Sequence, residues 1–368
     1  MKKNNKRLDK KRRILRRFLC ILEIIAVFLV LVYIGARIMV HMGRNHLYSG
    51  ANSSVPNLTI EETSEDVAQE STEEESYIWQ EGWVRYNGDI YAYNEDILTF
   101  LVMGIDKSGE VSESKNLTSG GQRDALFLLV INPHNKTLSI FAIDRNTMTD
   151  ITMVGIGDGG SDIISTAQIA IQHGFGDGKQ ESCELTRDAV SGLLFDLPIH
   201  GYIAVNYEAI PYINDAVGGI EVTITEDVAG AKSGWHAGDT VLLQGQDAIK
   251  FVKWRDLTIY ESARLRTQRQ KTYLTSFVLQ AIEETKKDIT MPITLYNKVK
   301  GYTVTDISVD EMTYLASELI SYHFSGNQIY TMAGETVMGE QYEEFYPDMD
   351  ALKEQMIEIF YEKVVIEE

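Results

Sequence analysis

Cysteine is nearly absent from this 368-residue chain, which contains only two. Cys20 lies in an apolar run near the N-terminus, and Cys183 is alone in the remainder. The part of the chain beyond the apolar run therefore has no partner for an internal disulfide, and its stability must come from packing.

Metal and nucleotide signatures are also missing. His173, His200 and His236 stand apart without the spacing of zinc ligands, so we predict no zinc. The glycine-rich residues 174–178 (GFGDG) are not followed by the Lys-Ser/Thr of a P-loop, which favours a simple turn. No internal repeat is apparent. The sequence thus indicates neither a zinc protein nor a P-loop nucleotide-binding protein.

Long hydrophobic segments are scarce too, and the clearest one extends from Phe18 to Ala36. It is about long enough to cross a bilayer, and ten Lys or Arg against one Asp precede it in residues 1–17. The positive-inside rule then predicts a cytoplasmic head (1–17), a transmembrane helix (18–40) and an extracytoplasmic remainder. A signal peptide is the alternative, but the long core and the lack of a nearby small-residue cleavage site favour an uncleaved anchor. We therefore predict a single-pass protein of the cell membrane.

The net charge of -20 arises downstream of this basic head. Residues 41–76 are rich in Ser, Thr and Glu and poor in large apolar side chains, which predicts an acidic disordered linker. We expect the folded domain to occupy residues 77–300 and to be followed by a C-terminal α/β extension, residues 301–368. The only patch suited to nucleic acid is the short head beside a membrane, so no nucleic-acid partner is expected.

Three apolar runs of strand length lie close together: Leu98–Met103, Ala125–Ile131 and Leu138–Ile143. The connector between the second and third runs (NPHNKT) predicts a hairpin. If the first run also pairs antiparallel with the second, one sheet edge carries a polar set: Asp106, Gln122, Arg123, Asp124, Asp144 and Arg145. Carboxylates suit a divalent cation and arginines suit phosphate, but ordinary ion pairs at strand ends explain the pattern equally well.

The remaining periodicity predicts an α/β fold with a mixed sheet flanked by helices. A hairpin with its turn at Asn87-Gly88 opens the domain. Helices are predicted at Ile164–His173, Leu185–Phe195, Tyr207–Ala216, Gln244–Trp254 and Ser262 to about Glu284, and strands at Gly201–Val205 and Gly219–Ile224. The tail should contain a helix with a Ser308/Glu311 capping box, a strand near Gln328–Met332 and a helix after Pro347.

The predicted helix that begins near Ser262 carries arginines in an unusual place. Its apolar stripe is continued towards the N-terminus by Gln270, Arg269 and Arg266, so these side chains should point into the molecule. Phosphate is a natural partner for two arginines and a glutamine one turn apart. The alternative is that Arg266 and Arg269 pair with Asp or Glu. Just upstream, Lys253 and Arg255 end the preceding helix, where cations can be simple caps.

Six blocks then follow one another in order: GID at Gly104–Asp106, GGQRDALFLLVINP at residues 120–133, DRNT at 144–147, NDAVGGIEV at Asn214–Val222, LQGQDAIKFVKWRD at Leu243–Asp256 and RTQRQ at Arg266–Gln270. Their order and approximate spacing resemble the LytR-CpsA-Psr family of bacterial envelope proteins, over about residues 98–280. The resemblance implies a family-like α/β domain that acts outside the membrane.

The resemblance also implies a reaction. Family members transfer a glycopolymer, linked through pyrophosphate to a polyprenyl lipid, to a peptidoglycan hydroxyl, and they depend on Mg²⁺. The implied partners are the polyprenyl-pyrophosphate-linked glycopolymer, peptidoglycan and the membrane. Carried onto this chain, the Mg²⁺ ligands are Asp106 and Asp124, and the catalytic residues are Asp124, Arg145 and Arg255. The pyrophosphate-binding residues implied by the blocks and the arginine helix are Arg123, Arg145, Lys253, Arg255, Arg266, Arg269 and Gln270.

The chain departs from the family pattern at several positions. Gln122 stands where many members have Arg, Lys253 replaces the first Arg of its block, and Ala263 stands where an Asp is expected. Two other hypotheses therefore remain: a pyrophosphatase in which water replaces the sugar hydroxyl, and a non-catalytic module that binds lipid-linked glycans.

Overall fold

The fold is taken from a computed structural model that describes residues 28–49, 54–59, 79–114, 121, 123–226, 228, 230–256, 258, 262–324 and 328–365. The strands are β1 Trp83–Tyr86, β2 Asp89–Tyr93, β3 Leu98–Ile105, β4 Arg123–Asn132, β5 Thr137–Ala142, β6 Met148–Met153, β7 Ile163–Gln168, β8 Gly201–Asn206, β9 Ile220–Thr223, β10 Thr240–Leu243, β11 Thr303–Thr305, β12 Ile329–Thr331, β13 Gly334–Met338, β14 Glu343–Pro347 and β15 Tyr361–Lys363. The helices are α1 (28–48), α2 Gln180–Leu193, α3 Ile210–Ala216, α4 Gln246–Lys253, α5 Ser262–Lys287, α6 Met291–Val299, α7 Val309–Leu319 and α8 Met349–Phe360.

The main sheet has six strands in the order β11-β8-β3-β4-β5-β12. β4 pairs antiparallel with both β3 and β5, which confirms the three predicted strands and the hairpin between the second and third. β8 joins β3 and β12 joins β5 in the parallel sense. The sheet is therefore mixed, as expected.

Residues of β3 alternate between two apolar layers, because successive side chains of a strand point to opposite faces. Leu101 and Met103 belong to a core shared with α2 and α8, whereas Leu98 and Phe100 belong to one shared with α5 and α7. Helices thus cover both faces of the sheet. This three-layer arrangement confirms the predicted α/β class.

One predicted helix is wrong. Residues Ile164–His173 show helical spacing of apolar side chains, but the first half is strand β7, paired with β6, and Ile169–Phe175 is a 3₁₀ helix. A short apolar run can satisfy either period, and pairing with a neighbouring strand decided this one. The strand predicted at Gly219–Ile224 is present as β9, but it pairs with β10 in a separate ribbon.

Local signals located other elements correctly. The β1–β2 turn places Asn87 and Gly88 at positive φ, as a tight hairpin requires. Ser308 and Glu311 form the predicted capping box of α7. The helix predicted at Leu185–Phe195 begins earlier, at Gln180, so Thr186 lies inside α2, where its hydroxyl donates to the Ser182 carbonyl at 2.8 Å.

The C-terminal segment, residues 301–368, contributes strands to the same sheets as the preceding residues. β11 and β12 form the two edges of the main sheet, and β15 pairs with β2 of the opening hairpin. Leu352, Met356 and Phe360 of α8 are fully buried in the core that contains Leu101. The segment and residues 79–300 therefore share one sheet and one core.

Parts of the predicted anchor and linker lie against this domain. In α1, Leu47 is buried with Tyr314 of α7, and Gly43 is so close to the Asp310 backbone that a Cβ atom would lie 2.1 Å from its carbonyl oxygen. Leu58, in the middle of the predicted linker, is buried in the main core. Residues 41–48, predicted as the start of a disordered linker, are instead the end of helix α1; residues 49 and 54–59 are also described, and the rest of that linker lies outside the described residues.

Residues 18–27 of the predicted transmembrane helix lie outside the described residues, and residues 28–40 belong to α1. Among the described helices, none combines the length and hydropathy that crossing a bilayer demands. Several α1 side chains from Phe28 to Ile38 are nevertheless large, apolar and exposed.

Candidate functional site

The candidate site lies where three strands of the main sheet end. Ile105, the last residue of β3, pairs with Arg123, the first of β4, across an irregularity in the register. Ala142 ends β5 beside Phe127 of β4. Asp106, Asp124 and Arg145 therefore come from the same edge, as the strand pairing predicts.

Asp124 is the centre of this edge and is only 5% exposed. Arg266 of α5 donates to both of its oxygens, from Nη1 at 3.0 Å and from Nη2 at 3.2 Å. Nη1 of Arg145 donates to Oδ1, and the Tyr207 hydroxyl donates to Oδ2 at 3.3 Å. A buried carboxylate is costly unless paired, and here two guanidiniums and a phenol compensate the cost.

The arginines of α5 point inward, as the continued apolar stripe predicts. Arg266, Arg269 and Gln270 are between 2% and 5% exposed. Their partners are acidic side chains, as the alternative to phosphate predicts: Arg266 pairs with Asp124, and Arg269 pairs with Glu226. Phosphate is therefore not required to explain why they are buried.

Arg269 and Gln270 make contacts with the neighbouring helix α4 and the residues that follow it. The Arg269 guanidinium donates to the Phe251 carbonyl at 3.0 Å and to the Trp254 carbonyl, and it lies 5.3 Å from the Trp254 ring centroid. Nε2 of Gln270 donates to the Val252 carbonyl at 3.2 Å. These contacts join α5 to α4, and none of them is to the Asp124 carboxylate.

Lys253 and Asp106 lie on the outer side of the site. Nζ of Lys253 donates to Asp106 at 2.7 Å and lies 5.0 Å from the ring centroid of Tyr207. Because the Tyr207 hydroxyl bonds Asp124, this ring connects the exposed Asp106–Lys253 pair with the buried cluster. Burial, and after it the Asp124 carboxylate, raise the pKa of Tyr207, so its hydroxyl is a donor at neutral pH.

Arg255 completes a group of three guanidiniums. Its Nε donates to the Ser262 hydroxyl at 2.8 Å at the start of α5. Burial lowers the pKa of Arg255, and the positive charges of Arg266 and Arg145 lower it further. Arg145, Arg255 and Arg266 are therefore close enough to repel one another, which is typical of a site that accepts an anion.

Two site residues were not predicted from the sequence, Tyr207 and Glu343, whereas Asp144 belongs to the predicted polar set of this edge. Burial raises the pKa of Asp144, while its backbone contact with Asn146 and the charge of Arg145 oppose the shift. Glu343 of β14 acts electrostatically on both Asp144 and Arg255. Tyr207 could have been found as the residue that follows strand β8, but no local pattern marks Glu343.

The predicted Mg²⁺ ligands, Asp106 and Asp124, supply hard oxygen donors of the kind that Mg²⁺ prefers. Their oxygens contact Lys253, Arg145 and Arg266, so cationic side chains stand where a metal ion would bind. No cluster of three or more His, Cys, Asp or Glu in the described residues is arranged to hold a metal. Asp106 and Asp124 thus offer suitable donor atoms, but both carboxylates are ion-paired with cationic side chains in this structure. The side chain of Arg123, another predicted site residue, is outside what the structure describes.

Comparison with known proteins decides the family. The sequence model of the LytR-CpsA-Psr family matches residues 55–358. This chain is a member of the LytR-CpsA-Psr family. The match extends well beyond the six blocks of residues 98–280, into the C-terminal segment that completes the main sheet.

Curated relatives in this family carry one name. A Halalkalibacterium halodurans protein named polyisoprenyl-teichoic acid–peptidoglycan teichoic acid transferase TagU is 26% identical over 225 residues, 61% of this chain and 65% of that protein. A Bacillus cereus protein of the same name is 31% identical over 159 residues, 43% of this chain and 44% of that protein. The chain thus matches less than two thirds of the length of these relatives.

Solved structures share the LytR-CpsA-Psr fold. The crystal structure of Bacillus subtilis TagV superposes with a TM-score of 0.55 at 21% identity, covering 72% of this chain and 96% of that one. TagT bound to LI-WTA superposes with a TM-score of 0.52 at 18% identity, covering 72% and 91%. At these identities the comparison establishes the fold alone.

Proposed function

We propose that this protein is a membrane-anchored phosphotransferase that attaches a polyprenyl-pyrophosphate-linked glycopolymer to peptidoglycan during cell-wall assembly. Family membership and relatives named as teichoic acid transferases support the reaction class. The observation on which the proposal depends is the buried Asp124, held by Arg145 and Arg266 with Arg255 beside them.

These arginines are suited to a pyrophosphate. A guanidinium fork matches two phosphate oxygens as well as it matches a carboxylate, so a bound pyrophosphate competes with Asp124 for Arg266 and Arg145. Phosphoryl transfer needs charge neutralisation and alignment more than covalent help from the protein. The three guanidiniums supply the positive charge. Arg266 is held by helix α5, and Arg145 follows strand β5, which ends at Ala142.

The proposal includes Mg²⁺ at Asp106 and Asp124. When bound, the ion would neutralise charge on the pyrophosphate oxygens. Two carboxylates cannot fill six positions, so oxygens of substrate or water would have to complete the coordination. The cations that now contact these carboxylates would turn to the phosphate, which keeps every charge paired.

We also propose that the basic head is cytoplasmic and that residues 18–40 cross the membrane. The support is the density of Lys and Arg in residues 1–17 and the single apolar run that follows. Because α1 packs through Leu47 and Gly43 onto the domain, the catalytic domain would be held close to the bilayer that contains its lipid substrate.

The test uses the full-length chain in detergent with a lipid-pyrophosphate disaccharide as donor and peptidoglycan as acceptor. We expect Asp124→Asn and Arg145→Ala to reduce release of polyprenyl phosphate by about 10²–10³-fold, the usual cost of removing one preorganised charge-stabilising group. Arg264→Ala is the matched control, because Arg264 is exposed on the same helix as Arg266. Unchanged turnover in both site variants would disprove the assignment of the site.

Product analysis distinguishes the reaction from the alternatives. A transferase releases polyprenyl phosphate only when acceptor is present and labels the peptidoglycan. A pyrophosphatase releases it equally without acceptor, and a non-catalytic module binds the donor without turnover. Addition of EDTA tests the metal separately: activity that persists at full rate after chelation would contradict the proposed role of Asp106 and Asp124.

A further inference from the structure

A shallow cleft of about 310 Å³ lies beside the candidate site. Its lining residues come from the start of α3, the start of α4 and the residues before β11: Glu208, Pro211, Tyr212, Gly245, Gln246 and Tyr302. This volume is at the lower end of the range for small-molecule sites. It suits a single sugar ring rather than a nucleotide.

Two aromatic rings form one wall of the cleft. Tyr212 and Tyr302 stack with their centroids 5.9 Å apart and an interplanar angle of 26°. Tyr212 is 51% exposed, although a ring of this size is usually buried against apolar neighbours. Because the two rings stack on each other, Tyr302 supports Tyr212, whose exposed ring is a flat apolar surface with a hydroxyl at its rim and suits the apolar C–H face of a pyranose and its outward hydroxyls.

The polar groups of the cleft suit an uncharged ligand. The side chains of Glu208 and Gln246 are exposed at its rim and offer carboxylate and amide groups for hydrogen bonds. Glu208 lines the cleft, and the Glu110 carboxylate lies next to Gly301, the residue before Tyr302. These two carboxylates disfavour phosphate groups and a polyanionic polymer segment in the cleft.

Two elements of the site around Asp124 also supply residues of the cleft. Glu208 follows Tyr207, whose hydroxyl bonds Asp124, and Gln246 is at the opposite end of α4 from Lys253. Seven residues of helix separate those two ends by roughly 10 Å. The loop after Asp106 also reaches the cleft, because Val111 donates its backbone N–H to the Gly301 carbonyl at 2.8 Å.

We propose that this cleft binds an uncharged pyranose ring of one of the two glycans that meet at the phosphotransfer site, and that the ring stacks on Tyr212, which Tyr302 supports from behind. The inference deepens the proposed transferase function and rests on it for the source of the sugar. The stacking pair gives affinity, and Glu208 and Gln246 select the orientation of the ring.

The first experiment measures binding of chitotriose, a neutral sugar trimer, to the full-length chain in detergent by ligand-observed NMR titration. We expect Tyr212→Ala and Tyr302→Ala to weaken binding about five- to tenfold, because an aromatic contact contributes about 1 kcal/mol. Tyr212→Phe should keep most of the affinity. Trp79→Ala is the control: Trp79 is exposed and contacts Trp83 in the β1–β2 hairpin, which belongs to another sheet. No binding by the parent chain, or equal affinity in Tyr212→Ala, overturns the proposal.

A second measurement separates this inference from the proposed function. Farnesyl pyrophosphate has no sugar, so its affinity should be unchanged by Tyr212→Ala and reduced by Arg266→Met. Loss of farnesyl pyrophosphate binding in Tyr212→Ala would show that the tyrosines act on the pyrophosphate site and would overturn the cleft. If farnesyl pyrophosphate does not bind the parent chain while chitotriose binding still depends on Tyr212, only the proposed function fails.

The source of the sugar follows from kinetics with both substrates. If the ring belongs to the donor, Tyr212→Ala raises the KM for the lipid-pyrophosphate disaccharide and leaves the KM for peptidoglycan unchanged. If it belongs to the acceptor, the effects are reversed. Either result supports the cleft as a sugar site, and unchanged KM values for both substrates overturn it.

Discussion

Arg266 and Arg269 lie three residues apart on α5 and are almost equally buried, but they are bound in different ways. Arg266 donates to a side chain, Asp124, which also has Arg145 and Tyr207 as partners. Arg269 donates to two main-chain carbonyls and to Glu226. A side-chain partner with alternative donors can be exchanged for a substrate oxygen, whereas main-chain partners cannot leave without unfolding. Burial of an arginine therefore does not by itself mark a ligand site.

The largest expected effect is that of Arg269→Met on stability. The substitution leaves Glu226 without its cationic partner and two carbonyls without a donor, and removing one member of a buried pair typically costs about 3–5 kcal/mol. Urea denaturation of the full-length chain measures the free energy of unfolding. Lys286→Met is the control, because Lys286 is an exposed cation of α5 whose contact with Glu283 lies at the surface, and its free energy of unfolding should stay within about 0.5 kcal/mol of the parent. A stability loss no larger than that of the control would show that Arg269 is not structural.

The next effect is that of Arg266→Met, and it should appear in function rather than in stability. We expect donor turnover to fall by about 10²–10³-fold, since a charge-stabilising fork is removed. The free energy of unfolding should fall less than in Arg269→Met, because Asp124 keeps Arg145 and Tyr207. The same urea series and the polyprenyl phosphate assay measure the two quantities. If Arg266→Met lost more stability than Arg269→Met, the comparison between the two arginines would be wrong.

The smallest effect concerns the pH dependence of stability and His200, whose imidazole is also bonded to the main chain. Nδ1 of His200 accepts from the Thr99 backbone N–H at 3.2 Å, and burial lowers the pKa of His200 to about 4. The unfolded chain takes up this proton near pH 6.5, so the stabilisation is complete above pH 6.5 and is lost as the pH falls towards 4. The full pKa shift of His200 corresponds to about 3 kcal/mol in the free energy of unfolding. We expect about half of that, because the ring keeps some contact with solvent.

His200→Asn isolates this contribution, because its side-chain oxygen can still accept from Thr99 but does not titrate. The difference in unfolding free energy between parent and variant should decrease steadily from pH 7 to pH 4.5. A constant difference across that range would show that His200 does not titrate differently in the folded chain.

Much of the fold could be predicted because its signals are local. The apolar runs of β3, β4 and β5, the Asn87-Gly88 turn and the Ser308 capping box each depend on residues that are neighbours in the chain. The helix predicted at Ile164–His173 failed because its apolar spacing fits two structures, and the choice depends on β6. The inward direction of Arg266 was also predictable, since it continues an apolar stripe.

The apolar strands of the mixed sheet, the arginine helix that faces the core and the six blocks of the family can all be read from residue order. The pairing of Arg266 with Asp124 and of Arg269 with Glu226, and the place of Tyr207 and Glu343 in the same site, come from the folded arrangement. Side-chain periodicity fixes the face on which a residue lies, whereas its partner comes from a strand or loop tens to hundreds of residues away. That partner is set by how the helices pack on the sheet.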